Sequence, residues 1–197
     1  MDPLSQKEIE KAKILVIGDA MLDCYWTGEV ERISPEAPVP INNIFEEKFL
    51  PGGASNTAIN ITALGAKATF ISCIGNDKYG NILKSLMKKN NLRYLTLSNK
   101  DLETTRKIRV VANNQQMLRI DFNRYTDEES NLFSLKSFKE EIDKHDLVIV
   151  SDYDYGGIKY LKEMIKIAKS KNKKVIVDPK YKNFESYSGA TMITPNL

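Results

Sequence analysis

Two adjacent glycines, Gly52-Gly53, stand directly before Ala54-Ser55-Asn56-Thr57-Ala58. Without a Cβ, backbone N–H groups at such a turn can approach a ligand closely, and a helix opening there has amides with no partner of their own. Asn56, in the first turn, adds a donor and an acceptor. A tight loop with no ligand would use the same residues. Lys107 and Arg109 lie two positions apart, which on a strand gives them one face. Two cations on one pocket wall suit a phosphate group, and Arg119 on a partner strand could join them; the alternative is an exposed charged surface. Asp23, Asp152 and Asp178 follow short apolar runs, with Lys180 close behind the last. Carboxylates so placed can accept from hydroxyl groups or order water, metal or phosphate, and can equally cap turns.

These residues can meet only if short elements place them. Apolar, β-branched runs at 13–18, 68–74, 147–151, 175–178 and 191–194 read as strands buried on both faces. Amphipathic stretches at 54–64, 79–89, 132–144 and 158–169 read as helices between them. Strands alternating with helices predict an α/β fold, a Rossmann-like parallel sheet with helices on both faces. Ligands of such sheets bind beyond the carboxyl ends of the strands, where Asp19, Asp23, Asn76, Asp77, Asp152, Asp178, Lys180 and Asn196 fall. Two segments break the alternation. One, about 26–50, carries Pro35, Pro38 and Pro40 with short strand-like pieces. The other, about 104–122, reads as a hairpin turning at Asn113-Asn114, since Asn tolerates positive φ. Together they predict a small antiparallel β-layer that could serve as a lid, a dimer interface or both.

Composition excludes several alternatives. With 42% apolar and 28% charged residues, the chain can bury a core without disulfides. Its two cysteines, Cys24 and Cys73, have no metal or redox spacing and fit a reducing cytoplasm. One histidine, His145, rules out multi-histidine metal sites and argues against a histidine triad. The net charge of +3 and the basic run Lys169–Lys174 describe a solvated helix end, not a nucleic-acid surface. Residues 1–12 are too polar for a signal peptide, and no apolar run is long enough to span a bilayer. No G-x-G-x-x-G follows the first strand, which disfavours a dinucleotide-dependent oxidoreductase.

Gly52-Gly53, Asn56, Ala58, Gly65 and Gly75 together resemble the first signature of the ribokinase-like (PfkB) carbohydrate kinases. Within that family, Gly18-Asp19-Ala20-Met21-Leu22-Asp23 and Ser34-Pro35-Glu36-Ala37-Pro38-Val39-Pro40 look like the bacterial D-glycero-D-manno-heptose 7-phosphate kinases. So do Lys107-Ile108-Arg109-Val110, Asn114-Gln115-Gln116 with Arg119 and Asp121, Ser151-Asp152-Tyr153, Asp178-Pro179-Lys180 and Thr194-Pro195-Asn196. The resemblance implies transfer of the ATP γ-phosphate, with Mg2+, to the anomeric hydroxyl of the heptose phosphate, a step toward ADP-heptose and lipopolysaccharide core precursors. It implies that Asp23, Gly52, Gly53 and Asn56 hold the sugar. Lys107, Arg109, Arg119 and Asp152 would complete that site, and Asp178, Lys180 and Asn196 would lie toward the nucleotide phosphates. A homodimer through the lid follows by analogy; nucleic-acid and membrane partners do not.

Three departures stand out. Cys24 replaces an expected Arg, and Asp154-Tyr155 replaces a small residue plus Lys, so both changes would remove positive charge beside the sugar-phosphate pocket. The sequence also ends at Leu197, before the Glu of the metal motif and before the loop expected to carry the catalytic base. The 197 residues thus read as a partial kinase domain holding the sugar site and lid, with the ATP-binding part beyond and no turnover of its own. A kinase for another sugar or sugar phosphate, and a non-catalytic sugar-phosphate binding module, stay open as alternatives.

Overall fold

The computed structural model describes residues 5–123, 126–180 and 184–195. A short helix α1 (Gln6–Lys11) leads into β1 (Lys13–Gly18), β2 (Ala20–Ile33), β3 (Pro40–Gly52), α2 (Gly53–Ala63), β4 (Lys67–Gly75), α3 (Lys78–Lys89) and β5 (Arg93–Asn99). Then follow β6 (Arg106–Ala112), β7 (Gln115–Phe122), α4 (Glu128–Glu141), β8 (Leu147–Ser151), α5 (Leu161–Ser170), β9 (Lys174–Asp178) and β10 (Met192–Ile193). A six-stranded sheet in the order β10-β9-β8-β1-β4-β5 is parallel throughout. Alternation along β1 explains its two apolar faces. Leu15 and Ile17 join a core with α4, α5 and Tyr187, while Val16 joins a second core with α2, α3 and the root of the other sheet. The α/β expectation therefore holds.

The second sheet, ordered β3-β2-β6-β7, is the expected β-layer, called the lid below, and it is larger than the sequence indicates. Its first hairpin spans 20–52, not about 26–50, and the second begins at Arg106. The prolines misled because β3 lies at the sheet edge, where Pro40 and Pro51 need donate nothing to a neighbour. The hairpins are antiparallel inside and joined by a parallel seam, β2 to β6. Both strands leave the carboxyl end of the parallel sheet, so they run outward in the same direction. The turn at Asn113 and Asn114 has φ of 49° and 63°, as the residue types require.

Other boundaries also move. Strand β5 was not expected; as an edge strand it is only half-buried and lacks a continuous apolar run. Helix α4 begins at Glu128, not 132, because the Asp127 carboxylate accepts from the Ser130 amide at 2.8 Å and two glutamates occupy the first turn. Residues 142–144 are a 3-10 turn, and α5 starts at Leu161, three residues later than expected.

At the amino ends of the strands, Glu141 is 4% exposed and takes a bidentate pair from Arg93 at 2.8 and 3.0 Å and one bond from Lys144 at 2.8 Å. His145 Nδ1 lies 2.8 Å from the Glu141 carbonyl, which can only accept, so Nδ1 carries the proton. Nε2 then accepts from the Thr69 hydroxyl, whose oxygen in turn accepts from Arg93. The Arg93 bonds, against the opposing effect of burial, hold Glu141 at about 2. A depressed carboxylate adds stability above its unfolded value and loses it as pH falls through the folded value. Discounted for the half-exposed Arg93, the contribution is about 2–3 kcal/mol. Glu141→Gln should therefore cost stability at pH 7, with the gap to wild type closing as pH falls from about 5 toward 2. Urea unfolding across that range checks it; a pH-independent gap would show that the carboxylate charge is not what the network uses.

Candidate functional site

The β2–β6 seam aligns Asp23 with Lys107 and Tyr25 with Arg109, and β7 sets Asp121 beside Lys107 and Arg119 beside Arg109. Period-two alternation puts these six on one face of the lid. The other face carries Leu22, Cys24 and Ile108, which pack into the core shared with α2 and α3. Arg109 reaches diagonally to the Asp23 carboxylate at 2.5 Å and lies 5.2 Å from the centre of the Tyr25 ring. Lys107, only 12% exposed, donates to the Tyr155 hydroxyl at 3.1 Å and lies 3.6 Å from Asp121. Arg119 grips Asp121 through two bonds of 2.6 and 2.7 Å, which push the Asp121 carboxyl below its usual range against its partial burial, with Lys107 helping.

The Gly-Gly turn abuts this face. A Cβ on Gly52 would lie 2.6 Å from Asp23 Oδ2, so the backbone passes in contact with the carboxylate. Gly53 has φ of 54°, and the buried Ser55 hydroxyl donates to the Gly52 carbonyl at 2.6 Å, closing the turn. Asn56 is exposed on the first turn of α2. Across the crevice is the loop after β8. Asp152 has both oxygens engaged, one by the Tyr187 hydroxyl at 2.8 Å and one by the Asp154 amide at 2.8 Å, so here it shapes the loop. Burial and then the charges of Asp178 and Asp23 push the Tyr153 phenol up. Burial, with Asp152 adding, raises Asp178 above the ordinary carboxyl value. Lys180 is exposed, and Asn196 lies outside the described residues.

Asp23, Gly52, Gly53, Lys107, Arg109 and Arg119 thus come together; Asp152 and Asp178 sit at the adjoining strand ends. The expectation for Cys24 is corrected. It is 1% exposed on the apolar face, where burial and then Glu47 push its thiol up to about 11, so its replacement of Arg changes nothing on the charged face. Tyr155 does lie on the site, at the end of Lys107. Asp77 caps α3 and anchors Thr104, which leaves it a structural role. Tyr25 was not singled out by sequence reasoning, and Tyr153 entered it only within a family motif. Asp19 was marked only by its place after a strand; its partners lie more than 130 positions away, so no local signal gives its role. Among the described residues no group of three or more His, Cys, Asp or Glu side chains is placed to hold a metal ion.

Residues 11–197 match the family described as pfkB family carbohydrate kinase. A D-beta-D-heptose 7-phosphate kinase of Bordetella bronchiseptica is 38% identical over 196 residues, covering 100% of this chain and 63% of that protein. The bifunctional protein HldE of Blochmanniella pennsylvanica is 39% identical over 187 residues, 95% of this chain and 39% of its own length. The chain spans less than two thirds of the length of either relative. Among solved structures, a ribokinase from Thermotoga maritima superposes with a TM-score of 0.66 at 25% identity, covering 94% of this chain and 59% of that one. A possible 1-phosphofructokinase from the same organism reaches 0.72 at 22% identity, covering 94% and 60%.

The Gly53 turn is testable by itself. Gly53→Ala adds a Cβ at positive φ, 2.5 Å from the end of Met21 and 2.7 Å from the Asp19 carbonyl. It should destabilise by about 1–3 kcal/mol, read as a lower urea midpoint. An unchanged midpoint would show that the turn can relax around a side chain.

Proposed function

The chain belongs to the pfkB family of carbohydrate kinases, and from that premise we propose that it builds the sugar-phosphate site of a kinase acting on D-glycero-D-manno-heptose 7-phosphate. The observation that carries the reading is the charged lid face, where Asp23, Lys107, Arg109 and Arg119 stand beside the Gly52-Gly53 turn. The printed names of the relatives supply the substrate class.

In this reading the Asp23 carboxylate accepts from adjacent sugar hydroxyls, and the Gly-Gly turn and Asn56 bound the other side of the ring. Lys107 and Arg109, with Arg119 behind them, hold the 7-phosphate through charge-assisted bonds. Kinases of this family generally use ATP and a divalent metal. The phosphoryl group would pass from ATP to the anomeric hydroxyl, whose proton leaves to a base. The described residues contribute positioning and charge neutralisation to that transfer. In this reading Asp178 and Lys180 would lie toward the nucleotide phosphates, as would Asn196, which is outside the described residues. The exposed Ile33, Ile44, Phe45 and Leu118 in the lid hairpins support self-association through this sheet. Phe45→Asp should lower the sedimentation mass if two lids pair; an unchanged mass would exclude Phe45 from such an interface.

Calorimetric titration with the heptose 7-phosphate, against ribose and fructose 6-phosphate, tests the substrate. Selective binding is expected. Asp23→Asn should weaken it about 10–100-fold, the loss expected for a bond to a charged group. Lys107→Ala should weaken the heptose phosphate similarly yet leave the unphosphorylated heptose unaffected. A folded chain that binds no sugar phosphate, or binds fructose 6-phosphate equally well, would overturn the assignment.

A further inference from the structure

Among the described residues, Asp19 is the one deeply buried carboxylate at the mouth of the sheet that the proposed chemistry leaves without a role. It follows β1 and is 4% exposed. Its Oδ2 accepts from the Tyr153 amide at 2.9 Å and the Tyr155 amide at 3.3 Å, and its Oδ1 accepts from the Gly157 amide at 3.2 Å. Those amides alternate with two residues of positive φ, Asp154 at 63° and Gly156 at 78°. A backbone wound in this way turns successive N–H groups toward one point and forms a concavity for an anion. Here the anion is the chain's own carboxylate, brought from an element more than 130 positions away. Burial pushes Asp19 up to about 6, the three amides pull against it and the nearby Asp152 charge adds to the rise. The main chain of Asp19 serves the other wall of the crevice, since its carbonyl accepts from the Ala54 amide of the Gly-Gly turn at 3.1 Å.

The loop that this carboxylate winds carries Tyr155. The phenol accepts from Lys107 at 3.1 Å, and the Lys107 ammonium lies 5.6 Å from the centre of the ring. Lys107 is thus bridged to the main sheet through one side chain of the clamped loop. We propose that Asp19 is a positioning residue: by clamping the 153–157 loop it places the Tyr155 hydroxyl that steadies Lys107 on the charged lid face. The functional weight of this coupling rests on the reading of Lys107 as a phosphate-holding residue. The coupling itself can be measured without any ligand.

The experiment compares wild type with Asp19→Asn, Gly157→Ala and Tyr155→Phe. Amide hydrogen exchange is followed by NMR, and acetylation of Lys107 by mass spectrometry. An Asn at position 19 offers one acceptor where two now serve three amides. Gly157→Ala attacks the same contact from the loop, because a Cβ there would lie 2.6 Å from Asp19 Oδ1. Both should speed exchange at 153, 155 and 157 by about 10-fold or more while β1 and β4 stay protected, as expected for losing bonds to a charged group. Both should also raise Lys107 acetylation several-fold. Tyr155→Phe should raise the acetylation by a similar factor and leave loop exchange unchanged. If Asp19→Asn does not fold, Gly157→Ala decides. The proposal is overturned by a loop that stays protected in the folded variant, or by a loosened loop with Lys107 reacting at the wild-type rate. Titration with the heptose 7-phosphate separates the two claims. Wild type that binds none refutes the substrate reading, while the acetylation still judges the clamp. Wild type that binds while Asp19→Asn and Tyr155→Phe bind several-fold more weakly supports both.

Discussion

The parallel seam between β2 and β6 governs the site. Both strands emerge from the carboxyl end of one parallel sheet, and neither can pair antiparallel with the other without a crossover. Their register fixes Asp23 beside Lys107 and Tyr25 beside Arg109. Because side chains alternate with a period of two, a slip of one residue would turn Asp23 and Lys107 into the core and bring Leu22, Cys24 and Ile108 into water. Each hairpin then extends the face outward, β3 bringing the Gly52 backbone against Asp23 and β7 bringing Asp121 and Arg119.

That register is secured from the apolar side. Leu22, Cys24 and Ile108 are fully buried, and Phe49 meets Tyr79 of α3 edge-on at 6.3 Å. Arg106 lies between the rings of Tyr79 and Phe122, at 4.4 and 3.7 Å from their centres. The lid root is therefore rigidly docked on α3, while its outer part projects from the domain. One sheet can hold a charged wall and an apolar anchor because the two belong to opposite faces of the same strands.

How much of this the sequence reveals depends on where each residue finds its partner. Strands β1, β4, β8 and β9 are central and flanked by helices, so their continuous apolar runs could be read directly. Edge strands β3 and β5 gain burial from one side only, and their patterns are correspondingly weak. Along β2, Ala20, Met21 and Leu22 are buried in succession, and Asp23 and Tyr25 then alternate with buried Cys24 over too few positions to read as a strand. That is why the length of β2 was missed and Cys24 was placed beside the sugar pocket. Asp23, the glycines and the Lys107–Arg109 pair were legible because their chemistry is local and their spacing periodic. Asp19 could be placed at a strand end, but its role could not be read, because that role exists only once β8 lies next to β1.

The charged face also constrains how a ligand could be taken up. The three cations at its centre are all paired: Arg109 is on Asp23, Arg119 on Asp121, and Lys107 between Asp121 and the Tyr155 phenol. A phosphate entering this face exchanges partners, and the binding free energy is the small difference between the pairs lost and the pairs gained. The Asp23–Arg109 pair gives that exchange a direction. In the proposed reading, sugar hydroxyls donating to Asp23 would compete with Arg109 for the carboxylate oxygens and free the guanidinium to turn to a phosphate on the same molecule. A sugar without the phosphate would weaken the pair and leave Arg109 uncompensated; a phosphate without the sugar would have to pull Arg109 from an intact carboxylate pair. On the proposed reading, selectivity for a molecule that carries both groups follows from a single ion pair that each group alone would have to break at a loss.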